Sequence, residues 1–129
     1  MANVIPFTFR GALFSGTHNF ASGGNTFRIA LYTGSIASVY TTSSTTVSAT
    51  NEVSTGGSSN YTRKDLSSQA VASGTAVASV DFGDTTWSSA TFTAAYAAIY
   101  NDTAAGDPLV VVLDFGGDKT CTNGTFKIT

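Results

Sequence analysis

Charge is what this chain has least of. Asp, Glu, Lys and Arg make up 11% of its 129 residues and the formal net charge is -2, whereas charged residues are roughly a quarter of an average globular domain. Nucleic-acid binding needs clustered cations that displace counterions from phosphate. Only Arg63 and Lys64 are adjacent here, and Asp65 follows at once. No apolar run approaches the ~20 residues that cross a bilayer. Neither nucleic acid nor membrane is therefore an expected partner. The start, Met1 to Pro6, lacks the basic residues and apolar middle of a secretory signal, so the chain is expected to be used where it is made or to leave its cell by lysis. A single cysteine, Cys121, excludes an internal disulfide and a multi-thiolate zinc site. In a β-rich stretch it reads as a small buried apolar residue. The single histidine, His18, has no motif partner and reads as a surface or interface residue. The single tryptophan, Trp87, reads as a core aromatic.

What fills the chain is Ser, Thr, Ala and Gly around a 42% hydrophobic complement. That is enough for one domain with its own core. Helical periodicity is nearly absent, and short β-rich segments are broken by Gly, Asn, Asp and Ser. Residues 4–9 alternate loosely around Pro6, which predicts an edge strand or an extended arm. Residues 26–33 are the clearest early strand, with Phe27, Ile29 and Leu31 on one face and Arg28, Ala30 and Tyr32 on the other. Residues 35–59 are dominated by Ser and Thr, yet Val39, Tyr40 and Val47 predict at least one strand there. Further short strands are expected at 61–66, 69–72, 75–82 and 85–89. Residues 91–100 are expected to place Phe92, Ala94, Tyr96 and Ala98 on one face. Residues 109–115 are apolar on both faces and are expected at the centre of a sheet. Asn123-Gly124 is a strong hairpin signal between 119–122 and 125–129. About eight short strands with regular turns predict an all-β, jelly-roll-like sandwich.

One phrase occurs twice. Val80-Asp81-Phe82-Gly83-Asp84 is echoed by Leu113-Asp114-Phe115-Gly116-Gly117-Asp118. Its tripeptide is that of the kinase magnesium site, which works only beside a catalytic loop, a strand lysine and a Gly-rich loop. None is present, and the phrase is expected to mark strand ends, with Phe82 and Phe115 in the core and the glycines making turns. Asp81 with Asp84, or Asp114 with Asp118, would offer hard oxygens to calcium, but without the spacing of a calcium loop. No Gly-x-Ser-x-Gly occurs, and Gly23-Gly24-Asn25 precedes a strand where a phosphate loop would precede a helix. No catalytic, metal-binding or cofactor-binding residue is expected, and the chain is not expected to be an enzyme.

The second half carries an ordered series: Tyr61-Thr62-Arg63, then residues 80–87 ending in Trp87, residues 90–101, residues 108–116, and residues 119–126 with Asn123-Gly124-Thr125-Phe126. In that order they resemble a family of small structural proteins of tailed-bacteriophage virions. The resemblance covers roughly residues 26–129. It implies a non-catalytic decoration or cement protein on the capsid exterior, made in the host bacterial cytoplasm, whose partner is the major capsid protein and which acts as a homo-oligomer, a dimer or trimer. A tail or fibre component and a carbohydrate-binding adhesive module are the alternatives. The domain is set at 26–129 and an N-terminal arm at 1–25. Phe7, Phe9, Arg10, Phe14, His18 and Phe20 on that arm are the expected capsid interface, since many Phe on an irregular arm would otherwise be an exposed apolar patch; the alternative is that these Phe close one end of the chain's own core. Removal of residues 1–20 is accordingly expected to leave the fold intact.

Overall fold

The alternation of residues 26–33 produces the hub of the molecule. In a computed structural model that describes residues 2–34, 36 and 38–129, β1 (Phe27–Tyr32) is almost wholly buried and has a sheet neighbour on each side. β2 (Lys64–Asp65) pairs with it on one edge and β5 (Thr85–Asn101) on the other, both antiparallel. β6 (Leu109–Ile128) completes the order β2-β1-β5-β6. β3 (Ala70–Ser73) and β4 (Ala78–Asp81) form a separate antiparallel two-stranded sheet. The protein is mostly β, as its sequence predicts.

Both faces of the main sheet are buried. Phe27, Ile29 and Leu31 enter one apolar cluster with Phe20, Val53, Tyr61, Trp87, Phe92 and Phe126. Ala30 and Tyr32 enter a second cluster with Ile36, Tyr40, Ala98, Tyr100, Leu109 and Val112. This is the two-faced division expected for β1. β5 departs from simple alternation. Phe92 and Ala94 lie in the first cluster, whereas Ala98 lies in the second, with Tyr96 packed against it. The phase slips because Ala94 pairs with Lys119 while Tyr96 pairs with Asp114, so Ala95 alone faces residues 115–118. Gly116 (φ 72°) and Gly117 (φ 132°) absorb that bulge with backbone angles that side chains disfavour.

The same geometry corrects three expectations. The second Asp-Phe-Gly lies inside β6 and ends no strand; the first does follow the end of β4. Asn123-Gly124 forms no hairpin, because Gly124 pairs with Ala90 within the long β5–β6 ladder. Asn123 (φ 45°) and Ser89 (φ 49°) take left-handed angles at a second bulge. β6 lies at the margin of the sheet rather than its centre, with Val4 bridged to Val112 and the Leu109 N–H donating to the Thr45 carbonyl beyond it. Six strands are therefore found among the described residues where about eight are expected: segments 85–89 and 91–100 are one strand, segments 109–115, 119–122 and 125–129 are another, and residues 4–9 and the Ser/Thr-rich stretch form none.

The N-terminal segment is neither strand nor extended arm. Val4 makes one isolated bridge, and α1 (Phe7–Phe14) follows Pro6. The helix ends in a tight glycine closure: the Gly16 N–H donates to the Leu13 carbonyl and the Thr17 N–H to the Ala12 carbonyl, with Gly16 at φ 72°. The Ser/Thr-rich stretch contains no strand among its described residues. It wraps over the second face instead, inserting Ile36 and Tyr40 into this chain's own core. The Tyr32 and Tyr40 hydroxyls lie 2.8 Å apart, Tyr32 donates to the Ser48 carbonyl, and the Ser48 N–H donates to Tyr40.

A candidate partner-binding face

Large apolar side chains left exposed fall into two stretches of sequence. Ile5, Phe7, Leu13 and Phe14 belong to the N-terminal segment, and Val71, Val77 and Val80 to the β3–β4 ribbon. α1 buries none of its residues, and Phe14 is 93% exposed. All eight strand residues of the ribbon are exposed. The two stretches meet in space. Ile5, Phe9 and Phe20 line an apolar groove of about 310 Å3 together with Val80 and Phe82, and Ile99, Val110, Val111 and Leu113 of the sheet also line it. One exposed side chain from each stretch, Ile5 and Val80, thus reaches the same groove.

The six arm residues expected to meet a partner divide sharply. Phe7, Arg10 and Phe14 are exposed, and the Arg10 guanidinium lies over the Phe7 ring. Phe9 is half-buried against the first cluster. Phe20 is buried and stacks on Phe27, with centroids 4.3 Å apart. His18 is buried too, which overturns its reading as a surface residue. The physical reason is the turn after α1: Gly16 reverses the chain and carries residues 17–20 back onto the sheet.

That return is held by amides. Asn101, fully buried at the end of β5, has its side-chain nitrogen 3.2 Å from the Thr17 carbonyl, 3.1 Å from His18 Nδ1 and 3.1 Å from Asn25 Oδ1. Its oxygen accepts from the Thr103 and Ala104 N–H groups. Asn25 Oδ1 in turn accepts from the Asn19 N–H. Burial holds the His18 imidazole below the ordinary histidine range.

A second polar cluster ties the Ser/Thr-rich stretch to residues 61–63. Arg63 donates from Nε and Nη2 to the two Glu52 oxygens at 2.9 and 2.7 Å, and the Tyr61 hydroxyl donates to Glu52 at 2.7 Å. The Glu52 hydrogen bond raises Arg63 far above its ordinary value, and burial raises the phenols of Tyr32, Tyr40 and Tyr61. These groups keep one protonation state near neutral pH. Arg63 also donates to the Tyr100 hydroxyl at 3.3 Å, and Tyr61 accepts the Leu31 N–H, so the cluster clamps residues 52–63 to the sheet.

Other candidates resolve simply. Trp87 is buried and donates from Nε1 to the Thr62 carbonyl, so it offers no exposed stacking platform. Phe82 and Phe115 are half-buried against the first cluster. Asp84 pairs with Lys127 at 2.5 Å, and Asp114 accepts from the Gly116 N–H, which holds its carboxyl below the usual range. Among the described residues no three of His, Cys, Asp and Glu cluster to hold a metal ion. Nor is any helix there long and apolar enough to cross a membrane. Cys121 is half-buried and lines an open depression of about 520 Å3 with Phe115, Phe126 and Ile128. Sequence reasoning missed Leu13 and the ribbon valines, whose only signal is an Ala/Val/Ser run bare of charge until Asp81. It also missed Asn101, Glu52 and Arg63, whose pairings are too long-range to announce themselves. Comparison with protein-family models, curated proteins and solved structures finds no match for this chain.

Proposed function

We propose that this chain is a non-enzymatic decoration protein of a tailed-bacteriophage capsid, placed on the outside of the shell over junctions between major capsid subunits. One observation carries the reading. The large exposed apolar side chains lie in residues 5–14 and 71–80, and one from each stretch, Ile5 and Val80, lines the same groove. A low charge content and the ordered motifs of the second half support it. Under this reading the main sheet is one layer of a jelly-roll-like sandwich whose other layer is reduced to the β3–β4 ribbon and loops. α1 and the ribbon dock on the shell. A two-stranded ribbon with no buried residue is marginal on its own and gains order when a neighbour covers it. Stabilisation summed over many lattice sites lets a weak single contact suffice, and a homo-oligomer multiplies it further.

The test is co-sedimentation of the purified protein with capsids that lack it. Saturation at a fixed ratio to the major capsid protein is expected, together with loss of binding in a Phe7→Ser/Phe14→Ser variant that keeps its melting temperature. Recovery of the protein only with tails overturns the capsid assignment. Binding by the double variant at full strength overturns the assigned face.

A further inference from the structure

His18 is the least comfortable buried polar side chain among the described residues. It is 7% exposed, and its Nε2 has no hydrogen-bond partner, a condition shared by no other buried side-chain nitrogen or oxygen among the described residues. The tautomer follows from its neighbour. The Asn101 side-chain nitrogen approaches Nδ1 at 3.1 Å, and the Asn101 oxygen is already committed to Thr103 and Ala104. An amide nitrogen cannot accept, so Nδ1 carries no proton and the proton sits on Nε2. Three phenylalanine rings surround the imidazole: Phe9 at 5.2 Å, Phe20 at 6.0 Å and Phe27 at 6.2 Å between centroids.

A proton added at Nδ1 has no acceptor there. It would face the Asn101 amide nitrogen, donor against donor. Turning that amide over would break its two bonds to the 103–104 backbone. No carboxylate answers the new charge. The packed elements present Phe9 from α1, Phe20 from the returning segment, Phe27 from β1 and Asn101 from β5. The ionisable groups of those elements are engaged elsewhere or point out: Arg10 lies over Phe7, Arg28 bonds Asp65 and Asp102, and Tyr100 receives Arg63. Tyr32 of β1 bonds Tyr40 and Ser48 in the second-face cluster. Tyr96 of β5 packs against that second cluster too. Burial lowers the proton affinity of His18.

We propose that His18 is an acid-sensitive latch, and that protonation of Nδ1 unseats residues 17–20 from the end of β5 and opens the Phe9–Phe20 side of the apolar groove. Because Phe9 and Phe20 border that groove, the latch governs how much apolar surface the candidate face presents. The sign is fixed by linkage. The released segment binds a proton at the ordinary histidine value of about 6.5 and the seated one only at lower pH. The seated form is fully favoured above that value and loses ground as pH falls. One proton per opening makes the opening constant rise about tenfold per pH unit until the seated imidazole itself titrates.

His18 is the sole histidine, so its ring gives one set of imidazole NMR signals in the intact protein. We expect a midpoint below 6.5, with the Asn101 side-chain amide and the Thr17 to Phe20 backbone amides shifting in step. Chymotrypsin cleavage after the buried Phe20 is expected to accelerate below pH 6.5 relative to His18→Asn, whose amide oxygen replaces the Nδ1 acceptor without titrating. Taking the ratio at each pH removes the pH dependence of the protease. That ratio should grow about tenfold per unit. A His18 midpoint at or above 6.5, titration that leaves residues 17–20 unmoved, or equal acceleration in His18→Asn would each overturn the latch. The NMR titration decides on the wild-type protein alone if the variant fails to fold.

Discussion

Arg63 grips Glu52 with two nitrogens, and the same carboxylate receives the Tyr61 hydroxyl, whose oxygen accepts the Leu31 N–H of the central strand. A residue after the Ser/Thr-rich wrap is thereby tied to one within it and, through Tyr61, to the hub of the sheet. The pair is largely shielded, with Glu52 at 14% and Arg63 at 26% side-chain exposure. Removing one member leaves the other's charge desolvated and without its counter-charge, which costs more than the pair contributes. Arg63→Met is expected to destabilise by about 2 kcal/mol, discounted from a fully buried pair for the exposure of Arg63. Glu52→Gln is expected to cost less, because an amide oxygen still accepts from Tyr61. Urea denaturation of both single variants and the double variant checks this, with a smaller loss in the double than in the sum of the singles.

The tyrosine network gives the fold an alkaline limit. Burial raises the phenols of Tyr32, Tyr40 and Tyr61 above their ordinary value of 10.0. Unfolded, they ionise near that value; folded, they stay protonated. The unfolded state therefore loses protons first, and the stability these groups contribute, complete below pH 10, declines as pH rises past it. Each phenol contributes a slope of about 1.4 kcal/mol per pH unit above that point. Thermal melts between pH 9 and 11.5 should show the fall, and Tyr61→Phe should flatten it. Absorbance at 295 nm should show these phenols ionising only as the protein unfolds.

How much of this was visible beforehand depends on how far each signal reaches. β1 was legible because alternation is local and both its faces are buried, so every residue reports its side. Residues 109–112 were legible as buried on both faces, but that pattern does not distinguish a central strand from a marginal one capped by Val4 and Thr45. Asn123-Gly124 signals a left-handed backbone, and a hairpin and a bulge need the same angle; only pairing with Ala90 across the ladder separates them. The slip at Ala95 is set by glycines on the opposite strand, so β5 alone cannot reveal it. Phe7, Phe9, Phe14 and Phe20 look alike in sequence. The reversal at Gly16 decides which of them return to the sheet, and the face was legible only as an apolar N-terminus, without its ribbon half.

That division of the N-terminal phenylalanines is measurable. Phe20→Ala removes a buried ring stacked on Phe27 and is expected to cost about 3 kcal/mol. Phe9→Ala, half-buried, is expected to cost about 1–2 kcal/mol. Phe7→Ala and Phe14→Ala should stay within about 0.5 kcal/mol of wild type. Deletion of residues 1–20 would remove Phe9, His18, Phe20 and the Val4 bridge together, so it should destabilise the fold rather than leave it intact. Midpoints of chemical denaturation order the series, and equal losses for all four phenylalanines would refute the division.

Gly24 gives the sharpest steric prediction. A side-chain carbon built there collides with the Asn19 backbone oxygen and approaches the Ala21 oxygen to 2.9 Å. Neither obstacle is the end of a flexible side chain. The Gly24 N–H donates to the Ala21 carbonyl and the neighbouring Asn25 N–H to the Asn19 carbonyl, so the turn cannot widen without losing both bonds. Asn25 is also the residue whose side-chain oxygen meets Asn101, which couples the collision to the His18 seat. Gly24→Ala is therefore expected to destabilise by about 2 kcal/mol or more and to speed chymotrypsin cleavage after Phe20 at neutral pH. Gly11→Ala, in the exposed helix with open space around it, should instead stabilise by about 0.5–1 kcal/mol. Thermal denaturation of the two variants side by side checks both signs in one experiment. A neutral Gly24→Ala would mean that the turn relaxes freely and does not hold the segment that carries His18.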